Sequence, residues 1–122
     1  MQEKQVSGRN LSKAAQEYIE AHYAEKFSLQ KIASALYVNG SYLLRAFRRQ
    51  TGMTLLNYHH HVRCEKAKVL LMQTSQSISE IGASVGYVSS AHFSHIFRKT
   101  EGCTPSEFRN LNHSAETEGE PR

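Results

Sequence analysis

An all-α fold is predicted by three features of the chain. Apolar residues recur at helical spacing along most of its length, no stretch alternates apolar and polar residues as a half-buried strand does, and one segment occurs twice. The first copy, SLQKIASALYVNGSYLLRAFRRQTGMT from Ser28, sets against SISEIGASVGYVSSAHFSHIFRKTEGCT from Ser77. At an offset of 49, Ser28 falls on Ser77, Leu29 on Ile78, Ile32 on Ile81 and Leu36 on Val85. One residue is then inserted, and at an offset of 50 Leu43 falls on Phe93, Phe47 on Phe97, Arg48 on Arg98, Gly52 on Gly102 and Thr54 on Thr104. Apolar character is kept between the copies while exposed positions change, which marks a duplicated structural unit. Seven helices are expected: two helix-turn-helix lobes, 11–52 and 75–111, joined by a long linker helix over 53–74, with a disordered N-terminal segment (1–10) and a disordered acidic tail (112–122).

Each helix has its own local signals. Leu11, Ala14, Ala15, Tyr18, Ile19, His22 and Tyr23 form the apolar side of an amphipathic first helix. Ser28 caps a second, which turns Leu29, Ile32, Ala33 and Leu36 inward, and Asn39 caps a third that Gly52 ends. Thr54 caps the fourth, to about Gln73, with Leu55, Tyr58, Val62, Ala67, Leu70 and Leu71 on its inward side. Ser77 and Glu80 form a capping box for the fifth, which stops at Gly86. Ser89 caps a sixth that ends at Gly102, and Thr104, Pro105 and Glu107 open a short seventh reaching about Leu111. Tyr18, Tyr23, Tyr42, Phe47, Phe93 and Phe97 are expected in the core.

Composition narrows the function classes. A chain of 122 residues has room for one compact domain or two small lobes, and its apolar runs are only a few residues long, so a membrane span is not expected. The polar start MQEKQ does not read as a signal peptide, which makes the cytoplasm the default location. Cys64 and Cys103 lack metal-ligand spacing and are expected to be reduced, small and semi-buried. Consecutive residues of the run His59, His60, His61 point about 100° apart on a helix and cannot converge on one ion, so a solvated flank is expected there and no metal. There is no Asp, no phosphate-cradling glycine loop and no recognisable nucleophile and base, so neither an enzyme nor a cofactor is expected. From Gly40 to Arg109, nine Lys and Arg stand against four Glu, a balance of +5, whereas the last ten residues hold three Glu and one Arg, a balance of −2. A basic body with an acidic tail suits an anionic polymer as partner.

The outward side of the second helix in each copy sharpens that reading. With Leu43, Ala46 and Phe47 inward, the third helix shows Ser41, Leu44, Arg45 and Arg48, with Arg49 at the border. With Phe93, Ile96 and Phe97 inward, the sixth shows Ala91, Ser94, His95 and Arg98, with Ser90 at its start and Lys99 at its flank. Neither side carries a carboxylate, whereas a solvated helix face usually mixes signs. About 20 residues of linker helix rise roughly 30 Å, close to the ~34 Å between successive major-groove faces of B-DNA. An asymmetric duplex site of about 20 base pairs, read by a single chain, is the expected ligand. A protein-interaction module of stacked hairpins and an RNA-binding helical domain are the alternatives.

Residues 11–110 resemble the DNA-binding domain of AraC/XylS-type transcriptional regulators. The resemblance rests on Ile78, Ile81, Gly86-Tyr87, Phe93, Phe97-Arg98-Lys99, Gly102, Thr104-Pro105 and Phe108-Arg109, and on Tyr58, Arg63, Ala67 and Leu71 in the linker helix. It implies two helix-turn-helix lobes on a long helix and a role in bacterial transcription control, commonly activation through contact with RNA polymerase. Carried over by position, Ser41, Leu44, Arg45, Ser90, Ala91, Ser94 and His95 face DNA bases, and Arg48, Arg49, Arg98 and Lys99 face phosphates. Tyr37 stands where that family's first turn often has glycine, so this turn is expected to be built differently. Such regulators usually carry a separate effector-binding or dimerisation domain, so the chain reads either as a small stand-alone regulator or as the DNA-binding end of a longer protein, which the loose termini suit slightly better.

Overall fold

A computed structural model describes the backbone of residues 8–119 and the side chains of residues 11–112. Among these are seven helices and no strand: α1 (Gly8–His22), α2 (Leu29–Ala35), α3 (Gly40–Thr51), α4 (Leu55–Gln73), α5 (Ile78–Ser84), α6 (Ser90–Glu101) and α7 (Pro105–Gly119). The chain forms two compact units, and the division between them falls inside α4, between Val62 and Arg63.

In the first unit, Leu11, Ala15 and Ile19 stack one turn apart on α1 and pack with Leu43, Ala46 and Phe47 of α3. Phe47 is fully buried, a contribution of about 1.5–3 kcal/mol relative to leaving it in water. Ser28 Oγ accepts from the Lys31 N–H at 3.1 Å and Asn39 Oδ1 from the Tyr42 N–H at 3.0 Å, so both helices start as their caps predict. Gly52, at φ 80°, ends α3 in a left-handed conformation. The first turns of α4 complete this unit, with Leu55 fully buried and the Tyr58 ring edge-on to Phe47 at 5.7 Å.

The second unit repeats the plan. Ser77 and Glu80 close a reciprocal capping box at 2.9 and 3.0 Å, and Ser89 Oγ accepts from the His92 N–H at 3.1 Å. Thr104 and Glu107 form a second box at 2.9 and 3.1 Å. Phe108 meets Phe97 edge-on at 5.7 Å, as Tyr58 meets Phe47, so the duplication runs on into the helix that follows α3 and α6. The second half of α4 supplies the remaining wall through Cys64, Ala67 and Leu71, all fully buried. Lys68 Nζ bridges Glu65 at 2.7 Å and Glu101 of α6 at 3.0 Å. Arg109 of α7 donates to the Leu71 carbonyl at 3.0 Å and the Thr74 carbonyl at 3.1 Å. These oxygens lie where the end of α4 has no further amides to offer.

The two turns are built alike, contrary to the expectation for the first. After α2, the Tyr37 N–H donates to the Ser34 carbonyl at 3.2 Å and the Val38 N–H to the Ala33 carbonyl at 3.0 Å. After α5, the Gly86 N–H donates to Ala83 at 3.1 Å and the Tyr87 N–H to Gly82 at 2.9 Å. Both are Schellman ends, which need a left-handed residue, and Tyr37 adopts φ 61° where Gly86 has φ 109°. A side chain in that region costs about 1–2 kcal/mol, and two satisfied carbonyls together with the following helix hold it there.

Other placements also differ from the sequence reading. His59 is buried at 3% exposure, edge-on to Phe27 at 5.3 Å, because Leu55, His59 and Val62 lie successively on the inner side of α4. His60 and His61 are half-buried. Arg63 is also buried, its guanidinium 4.7 Å over the Tyr87 ring, a cation–π contact that lets a charge lie at an interior position. Tyr42 is exposed rather than part of the core. Cys64 is buried and Cys103 half-buried, both free thiols; burial pushes the Cys64 thiol up to about 11. The chain was expected to be disordered up to residue 10 and from residue 112. Instead α1 begins at Gly8 and α7 continues to Gly119. No proline interrupts 112–119, and Asn112 Nδ2 donates back to the Phe108 carbonyl at 2.8 Å. Residues 1–7 and 120–122 lie outside the described residues.

Candidate nucleic-acid interface

The side of α3 opposite its buried Leu43, Ala46 and Phe47 carries Ser41, Leu44, Arg45, Arg48 and Arg49, all exposed. Four of them share one open, largely apolar depression: Leu44, Arg45, Arg48 and Arg49 line it with Phe27, Leu29, Thr54, Leu55 and Leu56. Leu44 is 41% exposed and Leu56 is 45% exposed, so apolar surface lies open directly beside three guanidinium groups. Leu56 escaped the sequence reading, since its position on a predicted linker helix gave no reason to set it beside α3.

On α6, Phe93 and Phe97 are buried, while Ser90, Ala91, His95, Arg98 and Lys99 are exposed and Ser94 is half-buried. The acid within α6, Glu101, is turned towards Lys68 and leaves the outward side without a carboxylate. α3 contains no acidic residue at all. Position by position, Leu44 and Arg45 correspond to Ser94 and His95, Ser41 to Ala91, and the pair Arg48-Arg49 to Arg98-Lys99. Both pairs occupy a last helical turn, where cations also complement the helix dipole. Arg63 and Arg109 contribute no exposed charge to such a surface, since each is engaged within the second unit.

A short helix, a Schellman turn and a second helix whose outward side is basic and free of acids, occurring twice, define a helix-turn-helix DNA-binding protein. Residues 32–111 match the family described as Helix-turn-helix domain. The chain belongs to the AraC/XylS-type family of transcriptional regulators and carries that family's DNA-binding domain. It is 34% identical over 101 residues to the bifunctional transcriptional activator/DNA repair enzyme AdaA of Bacillus subtilis, covering 83% of this chain and 48% of that protein. It is 35% identical over 101 residues to the arabinose operon regulatory protein of Escherichia coli, covering 82% of this chain and 35% of that protein. Among solved structures it is similar to the C-terminal domain of AraT, a response regulator from Geobacillus stearothermophilus, with a TM-score of 0.78 and 31% identity over 83% of this chain and 84% of that one. The chain therefore spans about half or less of the length of these curated relatives. No helix among the described residues is long and apolar enough to cross a membrane.

Proposed function

We propose that this domain binds double-stranded DNA sequence-specifically and regulates bacterial transcription, chiefly as an activator, by inserting α3 and α6 into successive major grooves. The observation that carries the reading is the pair of exposed, carboxylate-free helix sides at equivalent places in a repeated helix-turn-helix. A single chain then reads an asymmetric site of about 20 base pairs. The reading is of a binding domain rather than an enzyme, working in the cytoplasm on the bacterial chromosome, with RNA polymerase as the partner in activation.

Arg45 bridges guanine O6 and N7, a contact worth about 1–3 kcal/mol of discrimination, and Leu44 and Ala91 meet thymine methyls. Ser41, Ser90, Ser94 and His95 reach other base edges, while Arg48, Arg49, Arg98 and Lys99 hold phosphates. Selection from a random duplex pool, followed by a salt titration, tests this. Roughly six to nine neutralised phosphates give a log–log slope of about −5 to −8. Arg45→Ala relaxes preference at one or two base positions, whereas Arg98→Ala weakens all sequences alike and lowers the slope by about 1. Tighter binding of RNA at equal ionic strength, or weak duplex binding with little salt dependence, would overturn the reading. A uniform loss from both substitutions would overturn the division of roles.

A further inference from the structure

The residue inserted in the second turn, Val88, has no counterpart in the first, where Val38 is followed directly by the cap Asn39. It is fully exposed, and the backbone on either side of it is pinned. Before it, Tyr87 is buried, donates its N–H to the Gly82 carbonyl at 2.9 Å, stacks on Phe93 at 5.6 Å and meets His92 edge-on at 5.4 Å. After it, Ser89 caps α6. Val88 is thus a rigidly presented β-branched side chain at the mouth of the recognition helix, not the tip of a loose loop. Recognition helices read bases mainly with their N-terminal residues, and the neighbours there, Ser90 and Ala91, are short.

We propose that Val88 is a specificity-determining residue that selects thymine by packing against its 5-methyl group. This rests on the DNA-binding reading above and adds a contact to the second lobe, whose other outward side chains offer little apolar reach. An aliphatic side chain against a major-groove methyl is the apolar form of direct readout. No charge or hydrogen bond is involved, so Val88 affects the choice of base and leaves the salt dependence unchanged.

The test uses the duplex preferred by the wild-type chain in a random-pool selection. Each thymine is replaced in turn by uracil, which removes only the methyl. One thymine in the half-site read by the second lobe should cost the wild type about three- to fivefold in affinity when replaced, the worth of one buried methyl. Val88→Ala should lose that sensitivity and Val88→Ile should keep it, with all three proteins melting alike and showing the same salt slope. An identical uracil profile for wild type and Val88→Ala, or a wild-type profile with no sensitive thymine in that half-site, overturns the proposal while leaving DNA binding intact. Failure of the wild type to select any duplex overturns the DNA-binding reading itself.

Discussion

The two helix-turn-helix copies reach the same backbone by different side-chain routes. In the first, Ala33 of α2 lies at the place of Gly82 in α5, and Leu43 at the place of Phe93. A Cβ added to Gly82 would stand 2.8 Å from the Phe93 ring, so the second copy has exchanged one methyl for a larger ring across the same helix pair. The turns show the reverse preference, a strained Tyr37 in the first copy against Gly86 in the second. Packing volume is conserved between the copies and local strain is not. A cooperative unit tolerates about 1–2 kcal/mol in a turn more readily than an overlap in its core.

The largest effect should come from breaking the volume exchange. Gly82→Ala is expected to lower stability by about 1–3 kcal/mol through overpacking, read from urea denaturation. Adding Phe93→Leu, which rebuilds the Ala33–Leu43 pairing, should make the double variant more stable than the summed single losses by at least about 0.5 kcal/mol. Strict additivity would refute the exchange.

Alkaline pH should distinguish the copies next. Burial raises the Tyr87 hydroxyl from 10 to about 12 and the Cys64 thiol from 9 to about 11, both in the second unit; the first has Tyr58, raised in the same direction. Each group keeps its proton in the folded state after the unfolded chain has lost it. Their stabilisation is therefore complete below pH 9 and drains away between pH 9 and 12, on the order of 2 kcal/mol for Tyr87. Tyr87→Phe should retain more of its pH 8 stability at pH 10.5 than the wild type does, and an equal loss in both would contradict this.

The turns should respond with opposite signs. Gly86→Ala is expected to cost about 1–2 kcal/mol, whereas Tyr37→Gly should gain up to about 1 kcal/mol, because relief of strain outweighs the extra freedom of glycine in the unfolded chain. Equal signs in thermal melts would show that the left-handed residue is not what separates the two turns. The smallest difference is at the helix starts. Glu80→Ala opens the capping box of α5 and should cost about 0.5–1 kcal/mol, while Lys31→Glu, which completes a box with Ser28 in α2, should gain a few tenths.

Much of this was legible in the sequence because it is local. The caps Ser28, Asn39, Thr54, Ser77 and Ser89, the glycine stops, and the inward sides of α3 and α6 follow from spacing alone, and the exposed residues of the candidate interface follow from those sides. What escaped depends on partners distant along the chain. His59 reads as part of a solvated flank, yet the ring of Phe27 makes an interior for it, and Arg63, read only as a match in the linker helix, lies buried over the Tyr87 ring. Arg109, read only as part of a family signature, is a clamp on the carbonyls at the end of α4. Leu56 joins the depression beside α3 because the start of α4 belongs to the first unit as its fourth helix, which hydrophobic periodicity does not reveal.

The division of α4 at Val62 has a practical side for anyone who wishes to dissect the molecule. No loop offers a clean place to cut. A fragment that stops at Gly52 forfeits Leu55 and Tyr58, and one that begins at Gln76 forfeits Cys64, Ala67 and Leu71. Each half draws on its own stretch of one continuous helix, so a cut that spares both cores has to fall inside α4.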